Sequence, residues 1–456
     1  MTLTIKSQFT NFLREHYALF GVLLGTALVS ISLGPYSNFD SQTEYAAASS
    51  VVKLGLPYAT PGNLINQPPI GFYINALFLR VFGLSYTMGV AAVTLFGIGC
   101  VFLVYKVGKT MYGTRTGLLA AGLFALTPWQ VVLSRSFLID VQCLFFSLLY
   151  LLVGIWAVRK ASLKLTLASG IFFGIALLTK LFAVFTLIPL VLFLVYYRPK
   201  SLKRVFAGSV LFVLPGFLMY YLWYELISRL GFFSVLTHND FSSSIEGVTP
   251  SPFFLVKFFM DNAGLLFLLA VGVSVALSLW KRKTFPKTVF FDLIFLSAIL
   301  GTAGINMYLV LARGLWVPYV DPVKYDYQVL PAFCLLAASL LDKFRLLRPR
   351  SGGAPNQNKL SFFVAIAGVI LVIAAVTVNM LTLGNLIGKD YLLFKVEGDV
   401  GYSFVRLTPT SGQQYLASVQ GLGFVLIIIS LLWANKDKLS FNQPMDKKTK
   451  EKELPA

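Results

Sequence analysis

The stretch "ASGIFFGIALLTKLFAVFTLIPL", Ala168 to Leu190, holds one ionisable side chain, Lys180, in an otherwise apolar run. A hydrocarbon core about 30 Å thick needs about 20 helical residues to cross it. The run has no strand alternation, and backbone in lipid must satisfy its own hydrogen bonds. The reading is two membrane helices that meet at Lys180, near 166–179 and 181–197. Gly170 and Gly174 form a GxxxG pair suited to close helix packing.

Outward from that point the pattern repeats. The chain has 456 residues, of which 57% are hydrophobic and 12% charged. Apolar runs recur near 17–34, 85–105, 117–133, 141–157, 205–223, 262–280, 288–311, 327–341, 360–384 and 420–434. The expected fold is an all-α polytopic membrane protein with about 12 transmembrane helices, within a range of about 10–13. Four parts are expected. They are a transmembrane core over 1–341, a linker over 342–359, a C-terminal pair of spans over 360–434 with an external loop at 385–419, and a disordered tail over 435–456. The first span lacks a small-residue cleavage site after it and reads as a retained helix.

With the N-terminus inside, 27 of the 38 Lys and Arg fall in cytoplasmic segments. That bias sets the orientation by the positive-inside rule, with both termini cytoplasmic. The formal charge of +19 is therefore a topology signal and a contact for anionic lipids, not a nucleic-acid footprint. Cys100, Cys143 and Cys334 lie in apolar runs and offer neither a disulfide framework nor metal-ligand spacing.

Polar groups concentrate on the external side. "FDSQTEYAAASSVVKLGLPY", Phe39 to Tyr58, carries Asp40 and Glu44 one helical turn apart. A helix from Asp40 or Ser41 to Lys53 is expected. Ser41 and Glu44 also have the spacing of a capping box, so capping and catalysis both stand as roles. "NQPPIGFYINALFLRVFG", Asn66 to Gly83, opens on a Pro68–Pro69 turn and continues as an interfacial helix bearing Tyr73, with Gln67 before it. "LSRSFLID" brings Arg135 and Asp140 to a turn between spans. They form either an interfacial ion pair or a phosphate-binding arginine beside an orienting carboxylate. Lys180 either snorkels to the interface or presents a cation to an anionic headgroup. Later loops add His238, the one candidate metal ligand, and then Arg313, Lys324, Asp326 and Tyr327.

Carboxylates and cations gathered at headgroup depth suit sugar transfer from a lipid phosphate. A base takes the acceptor's proton and cations meet the charge on the phosphate leaving group. A transporter or lipid-linked sugar flippase is the competing class, and a non-catalytic scaffold of the same architecture is the third. Ionisable residues sparse in the span interiors and dense on one face favour the enzyme.

The blocks quoted above, with "GIALLTK" and "YDYQVLPAFCLLAASLL", resemble in order the GT-C-type membrane glycosyltransferases. Within these the resemblance is to the dolichyl-phosphate-mannose protein mannosyltransferases and bacterial aminoarabinose transferases. It covers roughly residues 17–341. It implies a polyprenyl- or dolichyl-phosphate sugar donor, inversion at the anomeric carbon, and a glycan, lipid or protein acceptor at an external site in the cell membrane. It makes Asp40 the base, with Glu44 as the alternative, and Asp140 a second acid. Arg135, Lys180, Arg313 and Lys324 become donor-phosphate ligands, and Gln67, Tyr73, Asp326 and Tyr327 pocket residues. Two departures stand out. The acids are Asp40 and Glu44 rather than an adjacent pair, and Asn66–Gln67 replaces the family's His or Glu-Lys before the proline turn. No cofactor follows from these residues, and zinc does not carry over; a divalent metal stays open.

Overall fold

The computed structural model describes residues 17–31, 39–65, 67–197, 201–230, 265–280, 286–312 and 326–347, with single positions and short strand pieces elsewhere. The chain divides into two compact units, residues 1–347 with 389–410, and residues 348–388 with 411–456. Asn66, His238, Arg313, Lys324 and the expected spans at 360–384 and 420–434 lie outside the described residues, apart from position 426.

The first unit is a multi-pass helical membrane protein. Helix α1 spans Tyr17–Ile31. Helix α2, Phe39–Leu54, leads through an antiparallel hairpin, β1 (Tyr58–Thr60) and β2 (Asn63–Leu64), to α3, Ile70–Phe82. Then come α4 (Tyr86–Met111), α5 (Thr114–Leu126), α6 (Pro128–Leu133), α7 (Asp140–Lys160) and α8 (Leu163–Thr179). After a 3-10 turn at Leu181–Thr186, α9 runs Leu187–Tyr197 and α10 Leu202–Arg229. Helices α11 (Leu265–Trp280) and α12 (Pro286–Leu311) follow, and a second 3-10 turn, Tyr327–Val329, opens α13 (Leu330–Leu347). A small antiparallel sheet joins Asp390–Tyr391, Phe394–Val396 and Leu407–Thr408.

Among the described residues, four helices are long and apolar enough to cross a membrane unaided: Tyr86–Met111, Asp140–Lys160, Leu202–Arg229 and Lys287–Leu311. Seven further apolar helices are shorter. Local chemistry explains two of the shorter ones. The expected run at 117–133 is not one helix, because Pro128 pushes Thr127 into extended backbone (φ −65°, ψ 138°) and restarts the chain at the first turn of α6. The run around Lys180 breaks where expected: Lys180 is extended (φ −161°, ψ 140°) between α8 and the 3-10 turn. The last helix continues past the expected linker boundary at 342, as far as Leu347.

Serines 85, 162 and 201 start α4, α8 and α10, each accepting a backbone N–H from three residues ahead. Helix α7 is the buried centre, flanked by α4, α8 and α9. The GxxxG pair sets α8 against α10. A Cβ on Gly170 would stand 2.4 Å from the Phe212 carbonyl oxygen, and one on Gly174 2.9 Å from the Gly216 Cα. The other side of α10 exposes Phe206, Val213, Phe217 and Leu222, an apolar surface suited to lipid.

Candidate active site

Three segments converge on the start of α7. Asp140 is its first residue and is fully buried. Lys180 reaches back from the α8 break and places Nζ 2.8 Å from both Asp140 carboxylate oxygens. The N-terminus of α7 and the ammonium meet at this carboxylate. Lys180 keeps 12% side-chain exposure and lies 5.4 Å from the Phe182 ring centroid. It is a paired cation with one side open.

Glu44 comes from α2, which runs Phe39–Leu54 against the expected start at Asp40 or Ser41. Ser41 lies inside this helix and accepts the Tyr86 hydroxyl at 2.8 Å. The Ser41–Glu44 spacing does not act as a box at the start of α2. Instead the buried Glu44 Oε2 accepts the Ile139 N–H, 2.8 Å away, at the N-cap of α7. It does in trans what a capping-box glutamate does within one helix. Tyr45, Tyr86 and Phe137 lock α2 to that turn through edge-to-face contacts of 5.4 and 5.5 Å at Tyr45. Asp40 stands one turn before Glu44 and is only partly buried.

The turn before α7 holds Arg135, also buried, whose Nε donates to the Val131 carbonyl at 3.0 Å. The carboxylate that sequence reading set beside Arg135 is taken by Lys180. Opposite this turn, Tyr327 is fully buried and donates its hydroxyl to Gln130 Oε1, while Gln130 Nε2 donates to the Gly97 carbonyl at 3.0 Å. Gln328 Nε2 reaches the Asp140 carbonyl at 3.5 Å. Asp326 accepts Asn306 Nδ2 at 2.9 Å, and burial pushes its carboxyl up to about 7. Gln67 is partly buried. Tyr73 is half-exposed and turns its hydroxyl to the Gly55 carbonyl at 2.8 Å, supporting the end of α2 rather than entering the cluster.

Asn75, Gln130, Gln142, Asn306 and Gln328 were missed from sequence, although each is a carboxamide inside or beside an apolar run. Gln142 donates to Asn75 across α7 and α3, an inter-helix bond between two buried side chains. Among the described residues, no three His, Cys, Asp or Glu side chains gather at one point.

Residues 66–223 match the family model described as dolichyl-phosphate-mannose-protein mannosyltransferase. Over that stretch, about a third of the chain, the sequence is similar to this family of membrane mannosyltransferases. YycA and YkcB of Bacillus subtilis (strain 168), both named as candidate mannosyltransferases, are 32% and 28% identical over 148 and 133 residues. Those segments are 32% and 29% of this chain, but only 22% and 18% of the two relatives. The fold is that of ArnT from Cupriavidus metallidurans. The apo form gives a TM-score of 0.56 at 14% identity, and the form bound to undecaprenyl phosphate gives 0.57 at 16%. Each likeness covers 92% of this chain and 77% of ArnT.

Proposed function

We propose that this protein transfers a sugar from a polyprenyl-phosphate donor to a glycan, lipid or protein hydroxyl at the non-cytoplasmic face of the membrane, with inversion. The observation that carries the reading is the Asp140–Lys180 pair at a helix break. It is a partly buried cation with one open side, held by a carboxylate at a helix N-terminus. The shared GT-C-type fold supports it. So does the neighbour bound to undecaprenyl phosphate, a lipid whose headgroup would meet such a cation.

Asp40 is the base in this reading. Glu44 is buried and committed to the α7 N-cap, whereas Asp40 is partly open to an incoming acceptor. The acceptor oxygen bonds to the anomeric carbon as the bond from that carbon to the phosphate oxygen breaks. The acceptor proton goes to Asp40, and the polyprenyl phosphate leaves with its new charge facing Lys180 and Arg135. Asp140 orients Lys180 and does not itself touch the sugar. Arg313 and Lys324, in the segment that precedes α13 in sequence, remain phosphate candidates.

The same reading places about 12 spans in the bilayer, with both termini cytoplasmic. The test is transfer by purified protein in vesicles, with the products read by mass spectrometry after supply of a polyprenyl-phosphate sugar. Asp40→Asn should retain donor binding and lose transfer. Transfer unchanged in Asp40→Asn, Glu44→Gln and Asp140→Asn together would sink the site. Donor carried across the bilayer without a new glycosidic bond would select the flippase.

A further inference from the structure

Asp326 and Asn306 pose a hydrogen-bonding problem that neither side chain solves when the acid is ionised. Both are fully buried. Asn306 Nδ2 donates to Asp326 Oδ1 at 2.9 Å, which leaves Asp326 Oδ2 and Asn306 Oδ1 as buried acceptors with no partner among the described residues. Each such orphan acceptor forgoes its hydration with nothing in return and so disfavours the fold. A planar carboxyl and a planar carboxamide joined by one N–H···O bond can lie edge to edge. A proton on Oδ2 then closes a second bond to Oδ1 of the amide and satisfies both orphans together. Turning the carboxamide over exchanges the two bonds and calls for the same proton.

We propose that Asp326 is a neutral carboxylic acid, joined to Asn306 in a cyclic acid–amide pair, and that this pair positions the Tyr327–Gln328 turn at the active site. The consequence rests on the transferase reading, because Tyr327 joins Gln130 and Gln328 reaches the backbone of Asp140. Among the described residues packed against this turn, α12 offers Thr302 and Asn306 and no charge. From α7 and the α8 break come Asp140 and Lys180, already paired with each other. Tyr327 itself is spent on Gln130. Burial is the force that raises the acid, and the Asn306 bond opposes it only in part.

The sign follows from linkage. The folded state holds this proton to about pH 7, against the ordinary value near 4. Its stabilising contribution is therefore complete below the ordinary value and is lost as pH rises through 7. The protonated fraction falls about tenfold between pH 6 and pH 8, and transfer should fall with it by up to that factor.

Infrared difference spectra of the reconstituted full chain, taken between pH 6 and pH 8, test the pair directly. Wild type should lose a carboxylic-acid carbonyl band with a midpoint near 7, and Asp326→Asn should lack that band. Asparagine keeps the ring as an amide–amide pair, so the ratio of transfer at pH 8 to that at pH 6 should rise toward one. Asn306→Leu should retain the acid band but shift it, because one ring bond is gone. A wild type without the band at pH 6 overturns the proposal. So does an Asp326→Asn variant whose transfer drops equally at both pH values, since the anion itself would then be in use. If no polyprenyl-phosphate sugar is ever transferred, the functional reading fails and the infrared band still decides the pair.

Discussion

Among the described residues, Asp140–Lys180 and Asp292–Lys343 are both inter-helix ion pairs, and they are finished differently. Around Lys343 every donor and acceptor is used. Its ammonium meets Asp292, the Ser274 carbonyl and hydroxyl at 2.9 and 2.8 Å, and the Ser339 hydroxyl at 3.1 Å. Asp292 also takes Tyr112 at 2.9 Å, with Ser278 and Ser339. Helices α11, α12 and α13 and the end of α4 are tied at one point, with Lys343 nearly fully buried. Lys180 by contrast meets Asp140 and retains an open side. A buried charge needs a partner in either place. A saturated pair can only hold helices together, whereas a pair with an exposed cation can also receive an anion.

The sharpest way to break this contrast is Asp40→Asn. Loss of the base should lower kcat by about 10²–10⁴-fold, with the melting temperature unchanged; a kcat within twofold of wild type refutes the assignment. Next is Lys180→Met, expected to raise the donor KM and lower kcat/KM for the donor by more than tenfold. An equal effect on donor and acceptor in steady-state kinetics would show that Lys180 holds structure alone.

Lys343→Met should behave in the opposite sense. Leaving Asp292 buried and unpaired costs about 3–5 kcal/mol, read as a lower unfolding midpoint, while the folded fraction keeps its kcat/KM. The double change Asp292→Leu with Lys343→Met should recover most of that stability. A stability-neutral single variant would mean that the cluster is wet and loose. The smallest effect belongs to Glu44→Gln, whose amide oxygen can still accept the Ile139 N–H. Stability should change by under about 1 kcal/mol and transfer by less than tenfold. A loss as large as that of Asp40→Asn would return the base to Glu44.

The two pairs also mark how far the amino-acid pattern could be read. Lys180 stood out because it is the one charge in a long apolar run, and the chain does break there. Asp140 stood out as an acid beside a span. Their partnership, 40 residues apart, did not stand out, since nothing in local spacing links them. Lys343 was assigned to a cytoplasmic linker because it lies among other basic residues, and burial appears only once α11 and α12 pack around it. Glu44 shows the same limit: its S-x-x-E spacing pointed to a local cap, while its carboxylate went to the N-cap of another helix 95 residues later.

Hydropathy alone determined that this is a helical membrane protein, because lipid forbids unpaired backbone and demands long apolar runs whatever the fold. It also exposed the break at Lys180, a local event of charge and backbone, whereas the break at Pro128 inside the expected run at 117–133 emerged only in the structure. Tertiary structure decided which carboxylate takes which cation, which acid is spent on a cap, and which amides line the site. Those outcomes depend on through-space distances of a few ångströms between helices far apart in the chain, and no periodicity within a single segment encodes them.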